Sequence, residues 1–219
     1  MKKIIISALL LAGMACAFAE SHLNFTVPFK SGCLLQADEI EYINSHGFIE
    51  TDNVSITSGV FTLGATAEYL YTFGEGAFGL GAKVGGELGS TVLGTDGSGS
   101  SGGLYGGTVA GWNVAPALGF VFKNKTITQI TIYPIGYAFY SLKNLKEMYD
   151  DYDISDVTID TLKTGVTFSW QWGSNVHHGF EIGFDFLYNT TIKFDGEKFI
   201  DKEGGGFSLH TAYKVSLDF

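Results

Sequence analysis

The chain has 219 residues, of which 45% are hydrophobic, 15% aromatic and only 16% charged, with 30 glycines and a formal net charge of −10. So acidic a chain, which has no arginine, excludes a protein whose partner is nucleic acid. Because charged residues usually make up about a quarter of a soluble domain, the low charge with many aromatics and glycines favours a membrane β-barrel.

The first nineteen residues have the pattern of a secretory signal peptide. Two lysines follow the initial Met, an apolar run begins at Ile4, and Ala17-Phe18-Ala19 is typical of a cleavage site. The run is shorter than the roughly 20 residues of a spanning helix. We therefore predict a signal peptide at 1–19 and one domain at 20–219. Lipidation at Cys16 stays open, although Gly13 stands where lipoproteins usually carry Leu.

From Leu23 onward, apolar and polar residues alternate with a period of two, which predicts β-strands with one apolar and one polar face. Seven such segments precede the C-terminal one. Tight turns are predicted after the second, fourth and sixth, at Gly74-Glu75-Gly76, Lys123-Asn124-Lys125 and Gly173-Ser174-Asn175. The seven apolar faces fall within 23–29, 61–73, 78–92, 112–122, 126–142, 162–172 and 176–188.

Two of these segments carry more specific predictions. The fifth is apolar on both faces between Tyr133 and Tyr140, which predicts a bulge that shifts its register. The seventh alternates most regularly, and its polar face is predicted to run from His177 to Asn189.

The connections alternate in length. The three tight turns have about three residues each, whereas the other joints are predicted to be long, at 32–53, 94–103, 143–156 and 193–205. Short turns on one side and longer loops on the other are typical of outer-membrane barrels. A soluble barrel or sandwich would show the same alternation with its apolar face inside. The export signal, the long strands and the aromatic C-terminal residue favour the membrane barrel.

The C-terminal segment is the most informative. From Phe207 to Phe219 its odd positions are apolar apart from Thr211, and the chain ends on an aromatic residue. This resembles the closing strand of bacterial outer-membrane barrels, in which such a strand serves as the assembly signal. The residues that carry the pattern are Tyr213, Val215, Leu217 and Phe219.

The whole of 20–219 resembles the small eight-stranded outer-membrane barrels, such as the OmpA transmembrane domain, OmpX, OmpW and small spirochaete barrels. The resemblance implies an all-β, eight-stranded antiparallel up-and-down transmembrane barrel in the outer membrane of a Gram-negative-type envelope. It also implies lipid and the barrel assembly machinery as partners, and we expect a monomer. Family members differ in role, so the fold does not settle function.

The predicted polar faces define a set of lumen residues. We expect them to form a buried ion-pair network that closes the lumen, because a barrel of about eight strands is barely wide enough for its own side chains. A narrow polar pore stays open as the alternative, since Gly79, Gly81, Gly85 and Gly89 either leave space or relieve strain where the wall bends. The lumen set is Glu68, Lys83, Glu87, Lys163, Glu181, Asp185, His210, Lys214 and Asp218.

Other motifs give weak signals, and we predict no catalytic residue, metal site or cofactor. His177 and His178 are adjacent on a strand and point to opposite faces, so they cannot share one ion. The Gly-rich stretch 94–103 lacks a phosphate-binding pattern. The run of aspartates from Asp150 to Asp156 lacks the Gly and Glu of a calcium loop, although weak divalent binding stays open. Ser45 and His46 stand without a nucleophile motif, so no enzyme is predicted.

Two functions follow from this reading. We expect passive passage or binding of a small solute, whose hydrophobic character stays open, because the glycines of the third segment suggest lumen space. The alternative is a surface adhesin or structural barrel with a plugged lumen, whose external loops bind a host partner. The first long loop supports either, through an apolar set of Leu34, Leu35, Ile40, Tyr42, Ile43, Phe48 and Ile49.

Overall fold

The computed structural model describes residues 20–37, 40–43, 49–52, 54–73, 78–97, 100–148, 153–194, 197–200 and 204–219. The predicted signal peptide, the turn at 74–76, His46 and the aspartates at 150 and 151 lie outside these ranges. The described residues include no helix of the length and hydropathy needed to cross a bilayer.

The described chain is a closed antiparallel β-barrel. Each long strand pairs with its neighbours along the chain, and the last strand pairs with both the first and the seventh long strand, which closes the ring. This confirms the predicted eight-stranded up-and-down barrel. The strands are β1 (Glu20–Ala37), β2 (Ile40–Ile43), β3 (Ile49–Asp52), β4 (Val54–Phe73), β5 (Phe78–Gly97), β6 (Ser100–Lys123), β7 (Ile127–Glu147), β8 (Asp153–Gly173), β9 (Val176–Phe194), β10 (Glu197–Ile200) and β11 (Gly205–Asp218).

The apolar faces of the long strands point outward. Phe61, Leu88 and Phe180 expose 61%, 68% and 58% of their surface, while the intervening polar residues are buried. A belt of large apolar side chains around a polar interior is stable only in an apolar medium, so the barrel is of the transmembrane type. From Phe61 to Phe73, about twelve steps of roughly 3.3 Å at a tilt of about 40° span about 30 Å, the thickness of a hydrocarbon core.

The end of the barrel that holds the short turns, the start of β1 and the end of β11 is here called the inner end, and the opposite end is called the outer end. At the inner end, β6 and β7 are joined through 124–126, and β8 and β9 through 174 and 175, as predicted. Aromatic rings meet there: the ring centroids of Phe78 and Phe120 are 5.5 Å apart. Aromatic residues at this level are typical of a membrane interface.

The predicted long connections are wrong in part, because the strands extend into them. Within 94–103, β5 runs to Gly97, β6 begins at Ser100, and the two strands are paired up to these residues. Within 32–53, β2 and β3 continue the β1–β4 hairpin, and β10 pairs with both β9 and β2. Cross-strand hydrogen bonding there outweighs the weak strand propensity of Gly, Ser and Asp, which had favoured loops.

The two faces of the wall exchange character towards the outer end. There the inward residues form one apolar cluster, which includes Leu34, Tyr140 and Ile159. The outward residues at the same level are polar, and Lys143 and Asp156 keep 62% and 55% of their side chains exposed. The outward surface of the inner part thus suits contact with lipid, and that of the outer part suits contact with water. The wall therefore continues beyond the membrane as a barrel with its own apolar core.

Among the register shifts in the wall, three bear on the predicted faces or on the outward surface of the barrel. The bulge predicted in the fifth segment is confirmed by register shifts of β7 between Tyr133 and Gly136. A second bulge lies in β1, where the register against both neighbours shifts after Cys33. The third corrects a prediction: Asn189 is exposed instead of inward, because an extra residue in β9 shifts its register against β8, and Asn189 takes a φ of 51°.

Candidate functional site: the filled lumen

All nine predicted lumen residues lie on the inner face of the wall. Eight of them expose only between 1% and 8% of their surface, although they line the interior of a barrel. The ninth, Asp218, lies at the inner rim with 21% of its side chain exposed. These residues belong to five strands, β4, β5, β8, β9 and β11, whose polar faces therefore meet in one interior, where charged groups must find partners.

A first cluster surrounds Lys214 on β11. Its Nζ donates to Glu181 Oε2 at 3.2 Å, to Gln129 Oε1 at 3.2 Å and to Ser169 Oγ at 3.3 Å. Glu68 Oε1 is 3.9 Å from the same Nζ. Three strands other than β11 thus supply acceptors to one ammonium group.

Glu181 extends this cluster across the lumen. Its Oε1 lies 3.4 Å from His210 Nε2 and 4.0 Å from Lys83 Nζ. Lys83 also lies over the ring of Tyr133, whose hydroxyl donates to Glu68. The carboxylates at the centre of the barrel are therefore each shared by several donors.

A second cluster lies nearer the outer end. Asp185 Oδ2 is 3.2 Å from Lys163 Nζ and 3.7 Å from Lys30 Nζ. Lys30 also donates to Glu87 at 3.2 Å and to the Tyr140 hydroxyl at 3.0 Å. Tyr140 belongs to the outer apolar cluster, so the ion pairs pass directly into that core.

Lys30 was missing from the predicted lumen set. It lies on the inward side of β1, two steps of two residues beyond Thr26, so the strand period alone could have found it. With Lys30 included, the two clusters hold four lysines and four carboxylates, besides His210. Such a balance is what a buried interior requires, because an unpaired charge there is costly.

The inward glycines of β5 do not widen the lumen. A Cβ at Gly81 would overlap the carbonyl oxygen of Tyr69, and a Cβ at Gly89 would overlap that of Phe61. Both oxygens belong to the neighbouring strand β4. The glycines therefore allow close approach of two backbones where the wall curves, which is the strain-relieving role left open above.

A third cluster closes the inner mouth. Lys123 ends β6 on the opposite side of the ring from β1 and β11, and its Nζ donates to Asp218 Oδ2 at 3.2 Å and to Glu20. His22 Nδ1 is 2.7 Å from Asp218 Oδ1, and His177 Nε2 is 3.2 Å from Oδ2. A cavity of about 230 Å³ adjoins this cluster between the two inner turns.

The pKa values of Asp218 and Lys123 at this rim reflect the hydrogen bonds and ion pairs of the third cluster. Burial alone would raise the pKa of Asp218, but hydrogen bonding to His22 and the nearby Lys123 outweigh it and lower the pKa to about 2. Burial would lower the pKa of Lys123, yet its hydrogen bond to Glu20 and the charge of Asp218 raise it above the ordinary value. Both groups are thus held in their charged forms.

His22, Glu20 and His177 were not in the predicted set. The strand period places His177 inward, and the structure confirms that His178 points the other way, with its Nδ1 2.9 Å from the Tyr213 hydroxyl. Within the described ranges no group of three or more His, Cys, Asp or Glu is arranged to hold a metal ion.

The predicted assembly-signal residues lie on the outward face of β11. Tyr213 is 46% exposed and Phe219 73% exposed. The backbone of Phe219 exchanges two hydrogen bonds with Ser21 on β1, at 2.9 and 3.1 Å. The last residue therefore takes part in closing the ring.

No protein-family model matches the sequence, and no curated protein sequence matches it. Several solved structures are similar. Neisserial surface protein A gives a TM-score of 0.46 at 9% identity, over 92% of this chain and 97% of that chain. The outer membrane protein OprG from Pseudomonas aeruginosa gives 0.46 at 10% identity, over 90% and 95%. The outer membrane protease OmpT from Escherichia coli gives 0.41 at 9% identity, over 91% and 97%.

At these identities and scores, no activity or substrate is transferred from those proteins to this chain. Its own architecture is that of the small eight-stranded outer-membrane barrels: a closed ring, an apolar belt and a polar interior.

Proposed function

We propose that this protein is a monomeric, non-enzymatic outer-membrane barrel with a plugged lumen, whose extension beyond the membrane presents a surface to a partner. Of the two functions that the sequence leaves open, this is the adhesin or structural one. The observation that carries it is the near-complete burial of the charged lumen residues.

In a water-filled passage, the charged side chains of the lumen would be exposed to solvent. Instead, Lys214, Lys163 and Glu181 expose only 1%, 2% and 2% of their surface. A solute that crosses at this level would have to separate buried ion pairs, including Lys83 with Glu181, which joins β5 to β9 across the ring at 4.0 Å. Leaving a buried charge without its partner costs about 3–5 kcal/mol. The glycines on which the passage hypothesis depends add no room, since β4 occupies the space above them.

The outer extension supports the binding role. It has an apolar core of its own and a polar outer surface, so it is a folded projection that needs no lipid to hold its shape. The β2–β3 hairpin and β10 are joined to each other at its outer edge. A rigid scaffold that carries surface segments is a common arrangement for binding.

A hairpin replacement tests the binding role. Because Ala37 pairs with Ile56, residues 38–55 can be replaced by a two-residue Asn-Gly turn that leaves the β1–β4 pairing intact. We expect cells that display this variant to lose attachment to host cells or extracellular matrix by at least tenfold, with the barrel still inserted. Attachment equal to that of the unaltered protein would contradict the proposal.

Solute flux provides the matching measurement on the lumen. Liposomes that contain the unaltered protein should swell in sugar or amino-acid solutions no faster than protein-free liposomes. The hairpin variant serves as the control, because its lumen is unchanged and it should be equally tight. Swelling by the unaltered protein would favour passage instead.

A further inference from the structure

We propose that a groove on the lipid-facing surface, where β1, β9 and β11 meet, binds the acyl chain of an outer-leaflet lipid. The cavity measures about 430 Å³, within the range of roughly 300–1,000 Å³ usual for ligand sites. It is lined by Cys33, Gln36, Phe186, Leu187, Gly205, Gly206 and Phe207. This inference goes beyond the proposed function and does not depend on it.

The groove arises from the bulge in β1. After Cys33 the register shifts against both β4 and β11, and the consecutive residues Leu34 and Leu35 are both buried. The bulge pushes the β1 backbone against the start of β11. A Cβ at Gly206 would overlap the carbonyl oxygen of Cys33 and lie 2.5 Å from that of Leu34, so only glycine fits at this position.

The first two residues of β11 therefore cover no surface with side chains. At Gly205 a Cβ would lie 3.0 Å from the carbonyl oxygen of Leu187 on β9, so that side of the strand is also tight. The wall stays closed by backbone alone, and the side chains of the flanking strands stand above it. The result is a shallow trough, which is the groove named above, and its floor is formed by backbone atoms.

The position and lining of the trough select an acyl chain. Phe186 and Phe207 are directly paired across β9 and β11, and they expose 55% and 60% of their surface within the apolar belt. At the other end of the trough, Gln36 is exposed and belongs to the part of β1 that follows the bulge. A molecule that is apolar along its length and polar at its outer end matches this gradient, and a membrane lipid has that form.

The Cys33 thiol offers a reporter inside the groove. It is half-buried, lines the cavity and donates to the Leu35 carbonyl at 2.9 Å. If the signal peptide is removed as expected, no second thiol competes with it.

Native mass spectrometry of the purified full-length protein tests the site, with palmitoyl-oleoyl-phosphatidylethanolamine added to the detergent micelles. We expect the unaltered protein to retain one lipid, and Cys33→Trp, which fills the trough, to retain at least tenfold less. Ser90→Trp is the matched control, since Ser90 is exposed on the outward face of β5 away from the groove, and it should retain the lipid. No retained lipid, or equal retention by Cys33→Trp, would overturn the proposal, as would an equal loss in Ser90→Trp.

A second measurement covers the case in which Cys33→Trp does not fold. A bimane label on Cys33, in vesicles of the same lipid, should be quenched at least twofold more by a nitroxide on the lipid acyl chain than the same label in Cys33→Ser/Ser90→Cys. Equal quenching at the two positions would show ordinary lipid contact only and would overturn the proposal.

Discussion

At the scale of single residues, the stability of the barrel depends on charges that are buried together. Lys214 draws its acceptors from β7, β8 and β9, so it connects strands that do not neighbour β11 in the ring as well as one that does. Hydrogen bonds to charged groups are stronger than neutral ones, and they are strongest where water is excluded. This makes Lys214 the residue whose loss should be felt most widely.

Truncating Lys214 should destabilise the barrel strongly. We expect Lys214→Met to lower the free energy of unfolding by about 3–5 kcal/mol, because it leaves the Glu181 carboxylate buried without its main partner. Reversible urea unfolding in lipid vesicles measures this. Lys143→Met is the matched control: its ion pair with Asp156 is exposed, at 4.0 Å, and should contribute less than about 1 kcal/mol. Similar losses in the two variants would contradict the account.

The Asp218 carboxylate at the inner rim should make the stability of the folded barrel depend on pH in the acidic range. Because the pKa of Asp218 is lowered from 3.8 to about 2, its ionised form stabilises the folded state at neutral pH. That contribution is complete above about pH 4 and is lost as the pH falls through about 2. The difference in melting temperature between the unaltered protein and Asp218→Asn should therefore shrink as the pH is lowered from about 5 to 2. A difference that stays unchanged down to pH 2 would be the contrary result.

At the scale of elements, strand period predicted the faces of the wall but not its irregular points. It placed Glu181 and Asp185 inward, as found, because each step of two residues returns to the same face. It misplaced Asn189, because one extra residue in β9 reverses the parity and nothing local in the sequence announces it. It also could not place Lys123 beside Glu20 and Asp218, since that contact depends on ring closure across the whole barrel.

The lengths of the elements show a different limit. Gly, Ser and Asp in 94–103 favour a loop by propensity, yet β5 and β6 continue through most of it. The pairing of β5 with β6 continues from the membrane into this part of the chain. The inward apolar residues there, such as Leu93 and Tyr105, pack into one shared core. Local propensity therefore underestimated the part of the barrel outside the membrane.

The closing strand should matter more for insertion than for final stability. We expect Phe219→Ala to reduce the amount of inserted barrel several-fold, because the resemblance assigns its aromatic end to recognition by the assembly machinery. Its side chain is largely exposed, and its backbone bonds to Ser21 are kept in the variant, so the stability of inserted protein should change by less than about 1 kcal/mol. Outer-membrane fractionation and urea unfolding measure the two quantities. Unchanged membrane levels would refute the assembly-signal role.

At the scale of the whole molecule, one wall serves two media. In the membrane its apolar side faces lipid and its charges fill the lumen, while beyond the membrane the apolar side faces inward and the charges face water. The inward charges meet the apolar core where Lys30 contacts Tyr140. We propose that this arrangement closes the barrel along its length and leaves the outer surface as the part available to partners.

Single-channel recording in planar bilayers tests the plugged lumen most directly. The account predicts no discrete conductance steps from the purified protein in 1 M KCl, from about pH 5 to 8, at potentials up to about 100 mV, because the buried ion pairs exclude water. The double variant Lys214→Ala/Glu181→Ala serves as the sensitivity control, since it removes volume and charge from the plug and should conduct if it folds. Reproducible steps from the unaltered protein would contradict the plugged lumen and favour passage.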